Sequence, residues 1–118
     1  MRFRLRFPRR SGPPGYAAYM ARPSKLSVAD VDAWLGAHPG WAREGEALVR
    51  SYKLADFGAA VAFTVQLGFV AEKRDHHPDV TIGWGKARVL WTTHDAGGIT
   101  QLDLELAAAT DTLCVPRG

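Results

Sequence analysis

The side chains best suited to proton transfer are concentrated between Glu72 and Asp103. Three of the four histidines of this 118-residue chain lie there: His76 and His77 are adjacent, and His94 follows seventeen residues later. An imidazole has an ordinary pKa of about 6.5, so near neutral pH it can both donate and accept a proton. Several imidazoles in one pocket would suit a dehydration, in which one protonates a leaving hydroxyl while another accepts a proton from the substrate.

Two other kinds of site have less support from these residues. His76 and His77 are awkward joint metal ligands, because adjacent residues in an extended chain point to opposite sides. The single cysteine, Cys114, excludes thiolate-rich zinc sites, and no serine or cysteine nucleophile motif is present. We therefore expect no metal centre and interpret the histidines as acid/base groups.

Local patterns place the three histidines at the ends of elements. Pro78 disfavours helix at His77, so the adjacent histidines should lie in a loop between a helix and a strand. Residues 80–84 alternate as a strand, and Gly85-Lys86 fits a tight hairpin turn. His94 then follows at the end of the return strand.

The rest of the chain supplies the elements that must position these residues. Ser27–Asp30 and Thr100–Asp103 fit capping boxes that begin the first and last helices. Residues 41–53 read as two short strands around a turn at Gly45, and a helix is predicted from about Asp56 to Arg74. The resulting order is α-β-β-α-β-β-α, which predicts an α+β fold: a four-stranded antiparallel sheet with three helices on one face.

The helix predicted over residues 56–74 is apolar on two faces, as expected for a helix that is buried on two sides. We expect the stripe that begins at Phe57 to cover the sheet and the stripe that begins at Phe63 to meet a second subunit. The sheet also has two edges whose backbone groups need partners, so we predict a homodimer or homotetramer. The first stripe comprises Phe57, Ala60, Val61, Thr64, Val65 and Gly68, and the second comprises Phe63, Leu67 and Val70.

Composition and charge exclude several classes of protein. No window has the roughly 20 apolar residues that cross a bilayer, so we expect no membrane association. Residues 26–118 carry eight Lys/Arg against twelve Asp/Glu, and they lack the basic balance of a nucleic-acid-binding domain. A lone cysteine permits no internal disulfide and favours a reducing compartment, the cytoplasm.

The net charge of +3 comes from the start of the chain. Residues 1–25 carry seven Lys/Arg and no acid, with an SGPPG run and no helical period. We expect a disordered basic extension over residues 1–23, or extra codons before a true start at Met20, and one domain over residues 24–118. An organelle transit peptide is a weaker alternative, because Ser11 alone supplies the expected serine content.

The stretch between Glu72 and Asp103 resembles the signature of the pterin-4a-carbinolamine dehydratases. Glu72 is followed after three residues by His76-His77-Pro78, after five more by Trp84, after nine by His94 and after eight by Asp103. Every position of that signature is matched, although tyrosine is common where this chain has Trp84. The resemblance extends over roughly residues 24–114 through the order of the elements.

This resemblance implies an activity. Enzymes of this family dehydrate 4a-hydroxytetrahydropterin to quinonoid dihydropterin and need neither a metal nor a redox cofactor. They recycle the tetrahydrobiopterin-type cofactor of aromatic amino-acid hydroxylases. The resemblance therefore implies a pterin substrate, no cofactor, a homo-oligomer, and an aromatic amino-acid hydroxylase as a candidate functional partner.

The resemblance also implies roles for individual residues. His76 and His94 are assigned to acid/base work at the 4a-hydroxyl and N5 side of the pterin, and His77 to binding and positioning it with a share in proton transfer. Asp75 and Asp95 would orient imidazoles or accept pterin N–H groups. Glu72, Trp84 and Asp103 are interpreted as structural. The implied substrate contacts are Asp75, His76, His77, Thr92, Thr93, His94 and Asp95.

A binding function on the same fold is the alternative. Mammalian members of the family also act as a dimerisation cofactor of a homeodomain transcription factor, and some bacterial relatives with degraded active sites resemble assembly chaperones for a carbon-fixing enzyme. A protein that only binds has no need of His76, His77 and His94 together. Their presence favours the enzyme.

Overall fold

The computed structural model describes residues 24–113. The predicted basic extension over residues 1–23, the alternative start at Met20 and Cys114 lie outside the described residues. No described helix is both long and apolar enough to cross a membrane. The elements are α1 (Val28–Ala37), β1 (Ala42–Glu44), β2 (Ala47–Lys53), α2 (Phe57–Arg74), β3 (Asp79–Gly83), β4 (Lys86–Trp91), a short 3-10 helix (His94–Ala96) and α3 (Gln101–Leu113).

The four strands form one antiparallel sheet in the order β1-β2-β4-β3. Together with the three α-helices this confirms the predicted α+β fold and its α-β-β-α-β-β-α order. Alternate residues of the two central strands point into the hydrophobic core, as the period of two predicts. The core residues of β2 and β4 are Leu48, Tyr52, Ala87, Val89 and Trp91, and each is at most 5% exposed.

Side-chain caps fix where the helices begin. Ser27 Oγ accepts the N–H of Asp30 at 3.1 Å at the start of α1. Asp56 Oδ1 accepts the N–H of Ala59 at 2.8 Å at the start of α2. Each cap satisfies a backbone donor that the first turn of a helix leaves without an intrahelical partner.

Helix α2 ends in a way that sets the direction of the histidine loop. Asp75 adopts the left-handed conformation with φ of 48°, and no other non-glycine residue in the range 24–113 has a positive φ. The N–H of His76 then donates to the carbonyl of Ala71 at 3.2 Å. This is a Schellman-type ending, which turns the chain sharply out of the helix. The adjacent histidines therefore lie in the loop between α2 and β3, as Pro78 predicts.

The two faces of α2 are reversed with respect to the prediction. Phe63 and Leu67, which we expected to meet another subunit, are 4% and 0% exposed and lie in the core. The face expected to cover the sheet is largely exposed instead. Both faces are apolar, so the sequence pattern did not identify which one packs on the sheet. The exposed stripe of α2 comprises Phe57, Val61, Val65 and Phe69, which recur every four residues.

The turn of the β3–β4 hairpin lies one residue earlier than predicted. Strand β3 ends at Gly83 and β4 begins at Lys86, so Trp84 and Gly85 form the turn. Gly85 has φ of 68°, the left-handed conformation that glycine adopts at little cost. Trp84, which was predicted to end the strand, projects from this turn and is 75% exposed.

Candidate active site

Two segments that are distant in sequence line a single cavity of about 220 Å³. The loop after α2 leads directly into β3, and β3 pairs antiparallel with β4, Asp79 lying opposite Leu90. The start of β3 and the end of β4 therefore meet at the same end of the sheet. The cavity is lined by Asp75, His76, His77, Thr92, Thr93, His94 and Asp95. These are the seven residues for which the family resemblance implies substrate contacts, and their role in binding stays a prediction.

His76 forms the buried wall of this cavity. It is 6% exposed, and its Nε2 lies 2.6 Å from Oδ1 of Asp103, which is completely buried. The imidazole ring also stacks on the indole of Trp91, with ring centroids 5.7 Å apart and planes within 15°. A hydrogen bond on one nitrogen and a stacked ring on one face together hold the imidazole in a single orientation.

Asp103 is the centre of a buried polar cluster. Its Oδ2 accepts the hydroxyl of Thr93 at 2.7 Å and the backbone N–H of Thr100 at 2.8 Å. The second of these bonds is the contact expected of the capping box at the start of α3. Because Thr93 also lines the cavity, the carboxylate joins α3, the end of β4 and the His76 loop.

His77 lies at the exposed edge of the cavity. Its Nε2 is 2.6 Å from Oε1 of Glu72, and the two side chains are 55% and 73% exposed. On its other side His77 borders a second cavity of about 360 Å³, which is mainly apolar. The other residues lining this second cavity are Thr64, Val65, Leu67, Gly68, Phe69, Ala71, Glu72, Pro78 and Val80.

His94 begins the short 3-10 helix that follows β4. This turn is closed by two backbone hydrogen bonds between Thr93 and Gly98, at 3.0 and 3.2 Å. His94 is exposed and lies between the 220 Å³ cavity and a third cavity of about 300 Å³ that Glu46 and Gly98 help to line. It therefore combines contact with the site and access to solvent.

Thr92 is anchored at the other side of the site. Its hydroxyl donates to the backbone carbonyl of Glu46 at 2.6 Å. The carboxylate of Glu46 pairs with Lys25 at 2.8 Å, and the hydrogen bond and charge of Lys25 lower the pKa of Glu46. Thr92 is thus fixed by the β1–β2 turn.

Sequence reasoning missed the two carboxylates that contact imidazoles. Glu72 and Asp103 were interpreted as structural, yet they are bound to His77 and His76 respectively. A signal for both was present, since they occupy the first and last positions of the signature spacing. For Asp103 the capping box was a sufficient local explanation. Its contact with His76, 27 positions earlier, was therefore not predicted.

The arrangement has the parts needed for proton transfer. One imidazole is buried and fixed by a carboxylate, one is partly exposed beside a carboxylate, and one is exposed at the cavity edge. Groups of three or more His, Cys, Asp or Glu side chains placed to hold a metal ion do not occur within residues 24–113. The geometry is suited to removing a proton at one point of a bound ligand and delivering one at another.

Comparison with known protein families places most of the chain in one of them. The family model described as "Pterin 4 alpha carbinolamine dehydratase" matches residues 24–113. A protein of Chloroflexus aurantiacus named "Putative pterin-4-alpha-carbinolamine dehydratase" is 45% identical over 87 residues, which is 74% of this chain and 94% of the relative. A protein of the same name from Roseiflexus is 43% identical over 88 residues, 75% of this chain and 95% of the relative.

Solved structures share the fold. The crystal structure of a transcriptional coactivator/pterin dehydratase from Brucella melitensis superposes with a TM-score of 0.74 at 32% identity, covering 78% of this chain and all of the other. A pterin dehydratase-like protein identified as a RuBisCO assembly factor in the alpha-carboxysome superposes with a TM-score of 0.55 at 20% identity, covering 64% of this chain and 90% of the other. At that identity the second likeness concerns the fold alone.

Proposed function

The chain belongs to the pterin-4a-carbinolamine dehydratase family, and on that premise we propose that it converts 4a-hydroxytetrahydropterin to quinonoid dihydropterin and water. The strongest support is the convergence of Asp75–His77 and Thr92–Asp95 on one cavity. Three imidazoles there can supply both the acid and the base that a dehydration requires. The domain responsible would span residues 24–118.

The reaction balances with one acid and one base. A base takes the proton from N5 of the pterin, and the electron pair left on N5 forms the C4a=N5 double bond. The C4a–O bond breaks, and the leaving hydroxide takes a proton from the acid to become water. The substrate is neither oxidised nor reduced, so the step needs no redox partner.

The residues around the cavity can divide this work. His76 and His94 would transfer protons on the N5 and 4a-hydroxyl side, and His77 would position the pterin and share in proton transfer. Asp75 and Asp95 would accept pterin N–H groups, because an ionised carboxylate only accepts hydrogen bonds. Thr92 and Thr93 would complete the wall of the pocket.

A dehydratase assay on the purified full chain tests this proposal. The protein should accelerate the loss of water from 4a-hydroxytetrahydropterin well above the spontaneous rate. EDTA should leave the rate unchanged, because the proposed acid and base are side chains. No acceleration at micromolar protein would refute the proposal, and a loss with EDTA that zinc restores would replace it with metal catalysis.

We propose that the protein self-associates and acts in the cytoplasm. The exposed apolar stripe of α2 supports a homodimer or homotetramer, because side chains such as Phe69, 70% exposed in a single chain, gain from burial. The sheet edges β1 and β3 offer a second surface for pairing. The quinonoid product would then be reduced, which regenerates the pterin that an aromatic amino-acid hydroxylase uses.

A non-catalytic role is the second candidate, and the same exposed stripe supports it. The Brucella relative is described as a coactivator as well as a pterin dehydratase, and an α2 stripe of this kind could bind another protein as a dimerisation cofactor or assembly chaperone does. Capture of a partner that survives replacement of His76 and His94 by alanine, with no turnover in the wild type, would favour this role over the enzyme.

A further inference from the structure

We propose that the cavity of about 300 Å³ beside His94 is a subsite for the C6 substituent of the pterin, and that Glu46 selects substituents that carry hydroxyl groups. This proposal rests on the proposed dehydration and adds the class of substrate to it. It follows from the residues that this cavity shares with the 220 Å³ cavity, and from the polar side chains in its wall.

The 220 Å³ cavity has a neighbouring cavity on each side. It shares both Thr92 and His94 with the 300 Å³ cavity. With the mainly apolar 360 Å³ cavity beside α2 it shares, among the described residues, His77 alone. A ligand that fills the 220 Å³ cavity can therefore extend past His94 or past His77.

The chemistry of the substrate favours the His94 side. In a 4a-hydroxytetrahydropterin N5 is bonded to both C4a and C6, so a substituent on C6 leaves the ring beside the atoms that react. His76 and His94 are the residues proposed to act on those atoms, and of these two only His94 also lines a neighbouring cavity. A C6 substituent beside His94 would therefore enter the 300 Å³ cavity.

The wall of the 300 Å³ cavity carries a carboxylate that is paired with an ammonium group. Glu46 and Gly98 line this cavity, and Oε2 of Glu46 lies 2.8 Å from Nζ of Lys25. Both side chains pass close to Gly98: a methyl group added there would lie 2.5 Å from Oε2 of Glu46 and 2.9 Å from Cε of Lys25. The carboxylate of Glu46, and not only its aliphatic stem, thus lies at the cavity wall.

Glu46 is held in place and kept ionised. Its backbone carbonyl accepts the hydroxyl of Thr92 at 2.6 Å, which fixes the β1–β2 turn against the end of β4. The hydrogen bond and the charge of Lys25 lower the pKa of Glu46, so its carboxylate is an acceptor at neutral pH. A hydroxyl group can donate to this carboxylate and accept from the ammonium of Lys25, whereas a methyl group can do neither.

The apolar cavity beside His77 is less suited to a hydroxylated substituent. A hydroxyl group placed against Val65 and Phe69 would lose its contact with water without gaining equivalent hydrogen bonds. The carboxylate in that cavity, Glu72, already contacts Nε2 of His77 at 2.6 Å. Polarity and the position of the reacting atoms therefore favour the same cavity, the one beside His94.

Turnover of two substrates tests the proposal. The probes are the 4a-hydroxy derivatives of tetrahydrobiopterin, whose C6 substituent is dihydroxypropyl, and of 6-methyltetrahydropterin. Glu46→Ala should lower the ratio of their kcat/KM values, dihydroxypropyl over methyl, by roughly three- to tenfold, since Glu46 is 51% exposed and water can replace part of the contact. The intrinsic reactivities of the two substrates cancel when this ratio is compared between proteins.

Glu44→Ala is the matched control. Glu44 lies two residues before Glu46 at the end of β1, its carboxylate accepts from Arg88 at 2.6 Å, and it lines none of the three cavities described above. The control removes the same group outside the site, so the ratio should stay within about twofold of the wild-type value. Gly98→Ala is a second test, because its methyl group must displace the carboxylate of Glu46 and should lower the ratio as well.

The outcomes separate the subsite from the dehydratase. An active wild type whose ratio is unchanged in folded Glu46→Ala would overturn the subsite and leave the dehydratase standing, and Gly98→Ala decides in the same way if Glu46→Ala does not fold. Should the wild type turn over neither substrate, calorimetric binding of 7,8-dihydrobiopterin and 6-methyl-7,8-dihydropterin decides instead. A preference for the first that is lost in Glu46→Ala would refute the dehydratase and retain the subsite. An affinity ratio that Glu46→Ala does not change, or no binding of either compound, would overturn both.

Discussion

His76 and His77 are adjacent in the chain, and each meets a carboxylate at 2.6 Å, but the two pairs lie in different surroundings. His76 and Asp103 are 6% and 0% exposed, whereas His77 and Glu72 are 55% and 73% exposed. Asp103 also accepts hydrogen bonds from two further residues, Thr93 and Thr100, and His76 has a stacked indole. The two pairs therefore have the same contact distance and different constraints.

The difference shows that contact distance alone does not measure what a pair contributes. An exposed ion pair is screened by water and typically contributes about 0–1 kcal/mol. Breaking a buried pair leaves a group without its partner where water cannot reach it, which costs several times more. We therefore assign the buried pair to fixing the orientation of one imidazole, and the exposed pair to adjustable contact with substrate.

The largest expected difference is in stability. Asp103→Ala should lower the free energy of unfolding by about 3–5 kcal/mol, because His76, Thr93 and the Thr100 N–H lose their common acceptor. Glu72→Ala should lower it by about 1 kcal/mol or less. Urea unfolding of the two variants measures both values. Equal losses would show that burial does not distinguish the pairs.

The next difference is in catalysis. His76→Ala should lower kcat by roughly 10²-fold or more, as expected for loss of a positioned acid/base group. His77→Ala should act mainly on binding, raising KM by about tenfold with a smaller change in kcat. Steady-state kinetics of both variants separates these effects.

His38→Ala is the control for removing a histidine elsewhere. His38 contacts the carbonyl of Trp34 through Nδ1 at 2.8 Å and stacks on its indole at 3.9 Å. It lies at the end of α1 and lines none of the three cavities described above. Its removal should leave kcat and KM near the wild-type values, and a wild-type rate in His76→Ala would defeat the assignment of the buried pair.

Much of the fold could be predicted because its signals are local. The capping residues Ser27 and Asp103, the alternation in β4 and the effect of Pro78 act over a few residues. The packing face of α2 could not be predicted, since its residues 57–71 contain no charged side chain to mark the exposed side. Which face packs on the sheet is decided by the tertiary fit of residues such as Phe63.

In the candidate site, too, contacts that depend on tertiary packing could not be predicted from the sequence. The family resemblance implied all seven cavity residues, three of which, His76, His77 and His94, are positions of the signature itself. It did not show which carboxylate meets which imidazole. The contact between His76 and Asp103 joins residues 27 positions apart, and it depends on α3 packing beside the end of β4. Burial, the property that separates the two pairs, likewise arises only from tertiary packing.

Self-association through α2 would cover the exposed Glu72–His77 pair. The cavity beside His77 is lined by Val65, Phe69 and Glu72 from the exposed side of α2. A second copy on this stripe would shield the Glu72–His77 pair from solvent. Phe69→Glu should therefore weaken assembly through α2, because it places a charge in the apolar contact, while a dimer formed through the sheet edges should persist.

Light scattering at micromolar concentration checks this, with Gln66→Glu as the control. Gln66 is exposed on the same helix but lies off the apolar stripe, so its variant should keep the wild-type mass. Phe63→Glu would be uninformative, since Phe63 is buried in the core and its replacement should unfold the domain. A monomeric wild type would contradict self-association altogether, and an unchanged mass in Phe69→Glu would exclude the α2 surface.

The smallest expected effect concerns a third pair, Lys25–Glu46, whose side chains are 46% and 51% exposed. Lys25 lowers the pKa of Glu46 from its ordinary value of 4.5, chiefly through their hydrogen bond and then through its charge. A carboxyl group whose pKa is lower in the folded state stabilises that state above its unfolded pKa, and the contribution is lost as the pH falls through the folded pKa.

Lys25→Met should therefore return the pKa of Glu46 towards 4.5, which a carboxyl NMR titration measures directly. Because the pair is exposed, the melting temperature at neutral pH should fall by only about 1 °C or less. The difference between variant and wild type should vanish once the pH is low enough to protonate Glu46 in both. A fall of many degrees, or a difference that persists at low pH, would mean that Lys25 stabilises the fold through packing rather than through this charge pair. Exposure would then be a poor guide to the weakness of the Glu72–His77 pair as well.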